Sequence, residues 1–218
     1  MTDSTTGADP AFAGDAATGR YYDQRAAEYD EWYLGRGLFA ARDRPGWDAD
    51  VTGLLDAIAS LRPAHTLDIA CGTGFLTARL RGSVIGIDQS PAMIAIAAAR
   101  VPAGEFRVAD ALSLPFPDRS FDRVFTGHFY GHLPAPERAA FLAEARRVAG
   151  ELVVVDSALR SGVAAEGWQE RVLNDGSRHR VYKRYFTAGA LAEEVSGEPF
   201  YLGQYFVGVR AALEAETT

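Results

Sequence analysis

The chain has 218 residues, a length that suits one domain with a sizeable core. A formal net charge of −7 and the lack of a long basic block disfavour nucleic acid as a partner. The single cysteine, Cys71, excludes an intrachain disulfide and favours a reducing compartment, so we expect a cytoplasmic protein. No apolar run approaches the length of a membrane span, and the composition is compatible with an oligomer.

The N-terminal residues 1–18 are rich in Thr, Ala, Gly and Asp and lack the features of a signal peptide, which predicts a mobile tail. Residues 19–213 are predicted to form one domain, followed by a short polar tail at 214–218. A stripe at helical spacing follows the first tail and consists of Tyr22, Ala26, Tyr29 and Tyr33. This stripe predicts a helix over residues 21–33 that packs on the core.

A loop and an amphipathic helix separate the stripe from the first strand. Glycine and proline interrupt residues 34–46, which predicts a loop. Apolar residues at helical spacing predict a helix over residues 48–61, and Pro63 ends it.

A glycine-rich turn follows the first predicted strand, in the sequence LDIACGTG over residues 67–74. Gly72 and Gly74 permit positive φ and a close approach of the backbone to a ligand, and a helix predicted over 75–81 would point free N–H groups at it. A dinucleotide-binding turn would need glycine where the chain has Thr77. Asp68 would repel a pyrophosphate but suits an ammonium group, while the N–H groups suit a carboxylate. An ordinary turn between strand and helix is the alternative.

Two further predicted strands end in acids. Asp88 ends the strand at 83–88, beside the glycine turn in a parallel sheet, where a carboxylate can accept both hydroxyls of a ribose. Asp110, at the end of a third strand over 106–111, is placed to accept from an exocyclic amine. Ser90 and Pro91 predict the start of a helix over residues 91–100. Met93 in that helix either covers an adenine face or packs in the core.

The loop after the fourth strand, which is predicted over 121–126, contains the candidates for chemistry. In an open α/β sheet the ligand lies beyond the carboxyl ends of the strands, so His128, Tyr130 and His132 are expected to face it. One of the histidines would take a proton from an acceptor or orient it, with Tyr130 a comparable candidate. The alternative is that these are structural or solvent-facing side chains.

The C-terminal part adds a hairpin to the alternating pattern. A helix over 136–148 and an apolar strand over 151–155 come first. Asn174-Asp175-Gly176 is a strong hairpin-turn signal inside residues 157–186, which form either an edge hairpin or a lid that selects an aromatic or acidic acceptor. A capped helix over 187–196 and strands over 200–204 and 205–210 close the predicted domain.

Three segments together resemble the class I methyltransferases that use S-adenosylmethionine, in the small-molecule branch typified by ubiquinone and menaquinone biosynthesis methyltransferases. The segments are LDIACGTG at 67–74, GIDQS at 86–90 and VADALSLPFPDRSFDRVF at 108–125, and the likeness extends over residues 20–156. It implies an α/β, Rossmann-like fold with a doubly wound, mostly parallel sheet of seven strands. The last strand would be antiparallel, helices would cover both faces, and the hairpin would precede the last helix.

The resemblance also implies S-adenosylmethionine as the cofactor, covered by the N-terminal helix with aromatic rings that suit a cation. The expected cofactor-binding residues are Tyr22, Tyr29, Asp68, Ala70, Gly72, Gly74, Asp88, Gln89, Met93, Asp110, Ala111 and Thr126. Ala70 departs from the family because many members have glycine there, and we expect only a slight shift of the backbone. The implied reaction is in-line transfer of the methyl group to a small-molecule acceptor.

The sequence also bears on other classes of methyltransferase, on a metal site and on other functions of this fold. The loop after the fourth strand lacks the [Asn/Asp/Ser]-Pro-Pro-[Tyr/Phe] motif of DNA amino methyltransferases. Cys71 lies in the glycine turn and not in the Pro-Cys motif of carbon-5 cytosine methyltransferases. No His, Asp or Glu cluster has the spacing of metal ligands. A protein that binds the cofactor without transferring its methyl group remains open, as does a nucleotide-dependent oxidoreductase, because fold does not determine function.

Overall fold

A computed structural model describes residues 16–213, which form a seven-stranded sheet with flanking helices. The strands of this sheet are β1 Thr66–Ile69, β2 Val84–Asp88, β3 Glu105–Val108, β4 Phe121–Gly127, β5 Ala149–Ser157, β8 Glu198–Leu202 and β9 Phe206–Ala212. Their order is β3-β2-β1-β4-β5-β9-β8, and only β9 runs antiparallel to its neighbours. The predicted mostly parallel sheet with an antiparallel last strand is confirmed.

Helices cover both faces of this sheet. They are α1 Ala16–Arg25, α2 Glu31–Leu34, α3 Trp47–Ser60, α4 Pro91–Arg100, α5 Ala135–Val148 and α6 Ala188–Val195. Alternating residues of β5 show why both faces need cover: Leu152 and Val154 pack with α5 and α6, whereas Val153 and Val155 pack with α3. Such a strand is buried on both sides, as its continuous apolar sequence predicts.

The N-terminal predictions need correction. Helix α1 begins at Ala16, so residues 16–18 belong to a helix and not to the predicted tail, whereas 1–15 and 214–218 lie outside the described residues. The helix predicted over 21–33 is interrupted by a 3₁₀ turn at Ala26–Glu28 and resumes as α2. Within residues 16–213, no helix combines the length and apolar character needed to cross a bilayer.

The α-helix predicted after the glycine turn is also wrong. Only a three-residue 3₁₀ helix, Thr77–Arg79, lies between β1 and β2. The chain must return to β2 at Val84 after the glycine turn, and the return passes Gly82, where a Cβ would lie 2.2 Å from the carbonyl oxygen of Ala64. The chain thus returns to β2 through a short 3₁₀ helix in place of the predicted α-helix.

The predicted hairpin is present, as a separate two-stranded sheet of β6 Glu166–Val172 and β7 Arg178–Arg184. Two side chains of β7, Val181 and Lys183, are buried. Its turn contacts the N-terminal segment, because the backbone N–H of Asn174 donates to Glu28 over 2.9 Å and the Asn174 amide donates to Glu31 over 3.0 Å. The hairpin therefore covers the carboxyl edge of the sheet rather than extending that sheet.

Candidate active site

A cavity of about 310 Å³ lies at the carboxyl ends of the parallel strands. Most of the predicted site residues line it: Tyr22, Tyr29, Ala70, Gly72, Asp88, Gln89, Met93, Asp110, Ala111, His128 and His132. Their convergence follows from the parallel strands, whose carboxyl ends meet at one edge. Asp68, Gly74, Thr126 and Tyr130 do not line this cavity.

The glycine turn has three residues with positive φ, namely Ala70 at 58°, Gly72 at 55° and Gly74 at 74°. Gly72 forms part of the cavity wall. Gly74 instead allows close packing on α4, since a Cβ there would lie 3.2 Å from Cα of Ala97. Ala70 adopts the left-handed region despite its Cβ, a conformation that costs an L-residue about 1–2 kcal/mol.

Asp88 joins the glycine turn to the end of β2. One carboxylate oxygen accepts the N–H of Gly72 over 3.0 Å and the other accepts the N–H of Ser90 over 2.9 Å. Burial raises the pKa of Asp88 to about 6, against these hydrogen bonds, which lower it. The carboxylate is held at the cavity wall by the backbone on both sides.

Asp68 lies behind the glycine turn in a small recess of about 20 Å³ that also borders Tyr29 and Gly72. Its Oδ2 accepts the Thr77 hydroxyl over 2.6 Å, while its buried Oδ1 has no hydrogen-bond partner within the described part of the chain. Burial raises the pKa of Asp68 to about 7. A buried carboxylate oxygen without a donor is costly, so this atom suits a cationic group of a ligand.

The remaining predicted cofactor residues differ in their roles. The backbone N–H of Leu112 donates to the Asp110 carboxylate, which fixes that side chain at the cavity rim. Met93 is almost fully buried and lines the cavity at the start of α4. Thr126 is completely buried, and its hydroxyl donates to the Ile69 carbonyl over 2.9 Å, so it ties β4 to β1 instead of facing the cavity.

The N-terminal segment is held over the cavity by contacts that the sequence analysis did not find. Asp23 accepts the Ser90 hydroxyl over 2.7 Å, which ties α1 to the start of α4. Asp30 accepts the Thr73 hydroxyl over 2.5 Å and forms an ion pair with Arg100. These partners are far apart in the chain, and no local pattern links them.

A second cavity of about 490 Å³ adjoins the first. Tyr22, Tyr29, His128 and His132 line both cavities and so form their common wall. Most of the remaining lining comes from the N-terminal segment, the 34–46 loop and the hairpin, and Trp47, Ser157, Arg160 and Tyr205 complete it. A ligand in either cavity would therefore lie next to these four side chains.

His128 follows β4 in a left-handed conformation with φ of 60°, and its side chain is 6% exposed. Neither ring nitrogen has a hydrogen-bond partner among residues 16–213, although Nδ1 lies 4.0 Å from Oδ1 of Asp156. Burial lowers the pKa of His128 to about 3, so the ring is neutral near pH 7. A strained, buried and unsatisfied side chain at a cavity wall is typical of a ligand contact.

His132 is also neutral, because burial and nearby cations lower its pKa. Its Nδ1 lies 2.6 Å from the Tyr182 carbonyl, and a carbonyl only accepts, so the proton is on Nδ1 and Nε2 is the basic nitrogen.

Tyr130 does not reach either cavity. Its ring is completely buried against Phe141 and Phe186, and its hydroxyl donates to Glu194 over 2.9 Å. The predicted catalytic role of Tyr130 has no support from this position, because the hydroxyl contacts Glu194 of α6 and lies outside both cavities.

Asp156, at the end of β5, organises the loop that contains both histidines. Its carboxylate accepts the N–H of Gly131 over 2.7 Å and the ammonium of Lys183 over 2.5 Å, and it is fully buried. Sequence reasoning missed this role although Asp156 follows the apolar run of β5, just as Asp68 and Asp88 lie at or near the ends of β1 and β2. Among residues 16–213, no group of His, Cys, Asp and Glu side chains is arranged to hold a metal ion.

Comparison with known proteins agrees with this geometry. Residues 66–151 match the family described as Methyltransferase domain. The chain is 36% identical over 145 residues to a demethylmenaquinone methyltransferase of Thermotoga maritima, covering 63% of this chain and 60% of that protein. This chain thus spans about three fifths of that relative. An uncharacterized methyltransferase, YrrT of Bacillus subtilis, is 26% identical, covering 82% of this chain and 87% of that protein.

The structure also resembles a solved DhpI-SAM-HEP complex, with a TM-score of 0.68 and 26% identity over 88% of this chain and 94% of that one. A DhpI-SAH complex matches with the same TM-score of 0.68. Sequence and structure comparisons thus both match this chain to methyltransferases. The strand order, the glycine turn and the acids at the strand ends agree with these matches. Residues 66–151 thus form a methyltransferase domain, the fold is that of the class I S-adenosylmethionine-dependent methyltransferases, and the cofactor is S-adenosylmethionine.

Proposed function

We propose that this protein transfers the methyl group of S-adenosylmethionine to a small molecule bound in the second cavity. The observation that carries the proposal is the wall of Tyr22, Tyr29, His128 and His132, which borders both cavities. A cofactor on one side of this wall and an acceptor on the other would meet there.

The residues of the first cavity suit the cofactor. Asp88 would accept the ribose hydroxyls, and Asp110 and Met93 would contact the adenine. The unpartnered Oδ1 of Asp68 would accept from the ammonium group in the recess behind the glycine turn. The carboxylate of the cofactor's methionine part would face backbone N–H groups of the glycine turn. Only a short 3₁₀ helix follows that turn.

The protein's part in the reaction is mainly alignment. When bound, the cofactor would supply an electrophilic methyl group on its sulfonium, and the residues of the two cavities would hold that methyl group in line with a lone pair of the acceptor. Holding two reactants in line can account for about 7–11 kcal/mol of the barrier, whereas a positioned base adds about 10²–10⁴-fold in rate. A histidine with a pKa of about 3 is a weak base near pH 7, so His128 is proposed to orient the acceptor by a hydrogen bond.

The acceptor is proposed to be aromatic or acidic. Trp32, Phe39 and Tyr185 supply aromatic surface in the second cavity, and several arginines supply positive charge. The 34–46 loop and the hairpin, which was predicted as a possible lid for the acceptor, both contribute to its lining. We also propose that the protein is cytoplasmic, as expected from its single cysteine.

The test is transfer of a labelled methyl group. The purified protein is incubated with S-adenosylmethionine labelled at the methyl carbon and a panel of small aromatic acids, phenols and amines. Chromatography with mass spectrometry then follows S-adenosylhomocysteine and the labelled product together. Formation of both in equal amounts supports the proposal, and binding of the cofactor without any labelled product across the panel opposes it.

The second candidate is an enzyme that binds the cofactor on this fold without transferring its methyl group. The [4+2]-cyclase SpnF shares the fold, with a TM-score of 0.63 and 20% identity. That likeness concerns the fold alone. Conversion of an acceptor without release of S-adenosylhomocysteine would favour this candidate.

Cofactor binding is expected to release protons near neutral pH because of Asp68. Its pKa of about 7 in the free protein lies above the ordinary value of about 4, so the folded protein loses stability as pH rises between these values. An ammonium beside Oδ1 favours the ionised form and lowers that pKa. Calorimetry at pH 6.5 in buffers of different ionisation enthalpy should therefore detect protons released on binding, and Asp68→Asn should remove most of this release. Equal proton release by the variant would contradict the assignment.

The hydroxyl groups of Tyr22 and Tyr29 are expected to contribute to cofactor affinity. Both tyrosines line the cavity, and burial raises the pKa of Tyr29 to about 12, so its hydroxyl stays protonated. Loss of one neutral hydrogen bond costs about 0.5–1.5 kcal/mol, so Tyr22→Phe and Tyr29→Phe should each weaken cofactor binding about fivefold in calorimetry. Tyr182→Phe is the control, since that hydroxyl donates to Glu166 outside both cavities. Unchanged affinity in both cavity variants would oppose the prediction.

A further inference from the structure

The lining of the second cavity has a strong excess of positive charge. Its cationic side chains are Arg25, Arg42, Arg44, Arg160, Arg171 and Lys183. The carboxylates that also line it are Glu28 and Glu170. The composition of the whole chain is acidic, so the excess is a local property of this cavity.

The carboxylates near this cavity are already engaged. Glu170 forms an ion pair with Arg178 on the hairpin, and Glu28 accepts the backbone N–H of Asn174 over 2.9 Å. Asp156 compensates only Lys183. Within the described part of the chain, the ion pairs include none of the five arginines of the cavity.

Two of these arginines act on a third. Burial, followed by the positive charges of Arg171 and Arg25, lowers the pKa of Arg42, so both guanidinium groups lie close enough to affect it. The guanidinium of Arg25 lies 4.9 Å from the ring centre of Tyr29, a residue of the wall shared with the cofactor cavity. Arg25 donates to the Tyr21 hydroxyl, but within the described residues none of Arg25, Arg42 and Arg171 has a carboxylate partner. These three side chains therefore form a cationic cluster that extends to the proposed place of methyl transfer.

Aromatic rings and His128 complete the lining. Arg42 lies over the ring of Phe39 at 4.6 Å, and the Trp32 ring lies 4.9 Å from that of His128. The unpartnered nitrogens of the buried His128 ring are an independent sign that the wall is built to contact a ligand. Cations, aromatic surface and a neutral hydrogen-bonding group together suit a molecule with an anionic end and an unsaturated body.

We propose that the acceptor carries an anionic oxygen group, a carboxylate or a phosphate, and that Arg25, Arg42 and Arg171 bind this group. The inference rests on the proposed function, since it assigns the class of the acceptor. Guanidinium groups match the oxygens of both anions in geometry and charge. The anion would offset the positive charge of the three arginines and hold the acceptor against the shared wall.

Calorimetry with benzoate, phenyl phosphate and benzamide tests this inference without any turnover. The titrations use the full chain with and without saturating S-adenosylhomocysteine. At least one anion should bind at least tenfold tighter than the neutral benzamide, and its affinity should fall as salt rises. The tighter of the two anions identifies the class of oxygen group. Equal affinity for benzamide and both anions, or no binding of either anion, overturns the inference.

Matched variants locate the site. Arg42→Gln and Arg171→Gln change exposed or half-exposed positions, and each should weaken anion binding about tenfold. Arg180→Gln makes the same change on the hairpin outside both cavities and should leave it within twofold of the wild-type value. Equal effects of all three variants would indicate nonspecific attraction and overturn the assignment.

A titration with S-adenosylhomocysteine alone separates the two proposals. If the protein binds S-adenosylhomocysteine but neither anion, only the inference is rejected. If it does not bind S-adenosylhomocysteine, the proposed function is rejected.

Discussion

Asp88→Ala is expected to weaken the binding of S-adenosylmethionine about 100-fold. The carboxylate would accept the ribose hydroxyls, and it also holds the N–H groups of Gly72 and Ser90 at the cavity wall. Hydrogen bonds to charged groups contribute about 1.5–3 kcal/mol each, so loss of this carboxylate corresponds to about two powers of ten in affinity. Calorimetry with the cofactor at pH 7.5 is the measurement.

Two controls make this result interpretable. Asp56→Asn changes an exposed acid on α3, away from the cavity, and should bind the cofactor as the wild type does. The thermal midpoint shows whether Asp88→Ala is folded at the titration temperature.

The affinity of the wild type should also depend on pH. Because the pKa of Asp88 is about 6, the affinity should fall below pH 6 as the carboxylate takes up a proton. Wild-type affinity in folded Asp88→Ala would exclude the ribose assignment.

Lys183→Met is expected to destabilise the protein by about 3–5 kcal/mol, because it leaves the buried carboxylate of Asp156 without its cation. Both side chains are almost completely shielded from water, and their charged atoms are 2.5 Å apart. Methionine fills a similar volume, so the loss reflects charge and not a cavity. The free energy of unfolding in urea is the measurement.

The double variant Lys183→Met with Asp156→Asn tests the cause. Removing the uncompensated charge should recover part of the lost stability, although the hydrogen bonds of Asp156 to Gly131 and Ser157 are weakened. Arg180→Met, an exposed change on the same strand, should alter the free energy of unfolding by less than about 0.5 kcal/mol. If Lys183→Met is as stable as Arg180→Met, the ion pair does not hold the hairpin on the sheet.

The sequence by itself determined the sheet and most of the lining of the first cavity. Apolar runs ending near Asp68, Asp88 and Asp110 are typical of parallel strands, and such strands place their carboxyl ends at one edge. The glycine turn and the cap at Ser90 depend on neighbours in the chain, so local chemistry suffices to predict them. For this reason nine of the twelve predicted cofactor residues line the first cavity.

Only the tertiary structure decided which side chains face a ligand and which support the fold. Tyr130 and His128 are two positions apart in the same loop, yet one contacts α6 and the other lies at the wall between the cavities. The ion pair of Asp156 with Lys183 joins residues that are distant in sequence. The positive charge of the second cavity likewise comes from four separate segments that are neighbours only after folding. Such contacts are long-range, and neither periodicity nor spacing along the chain specifies them.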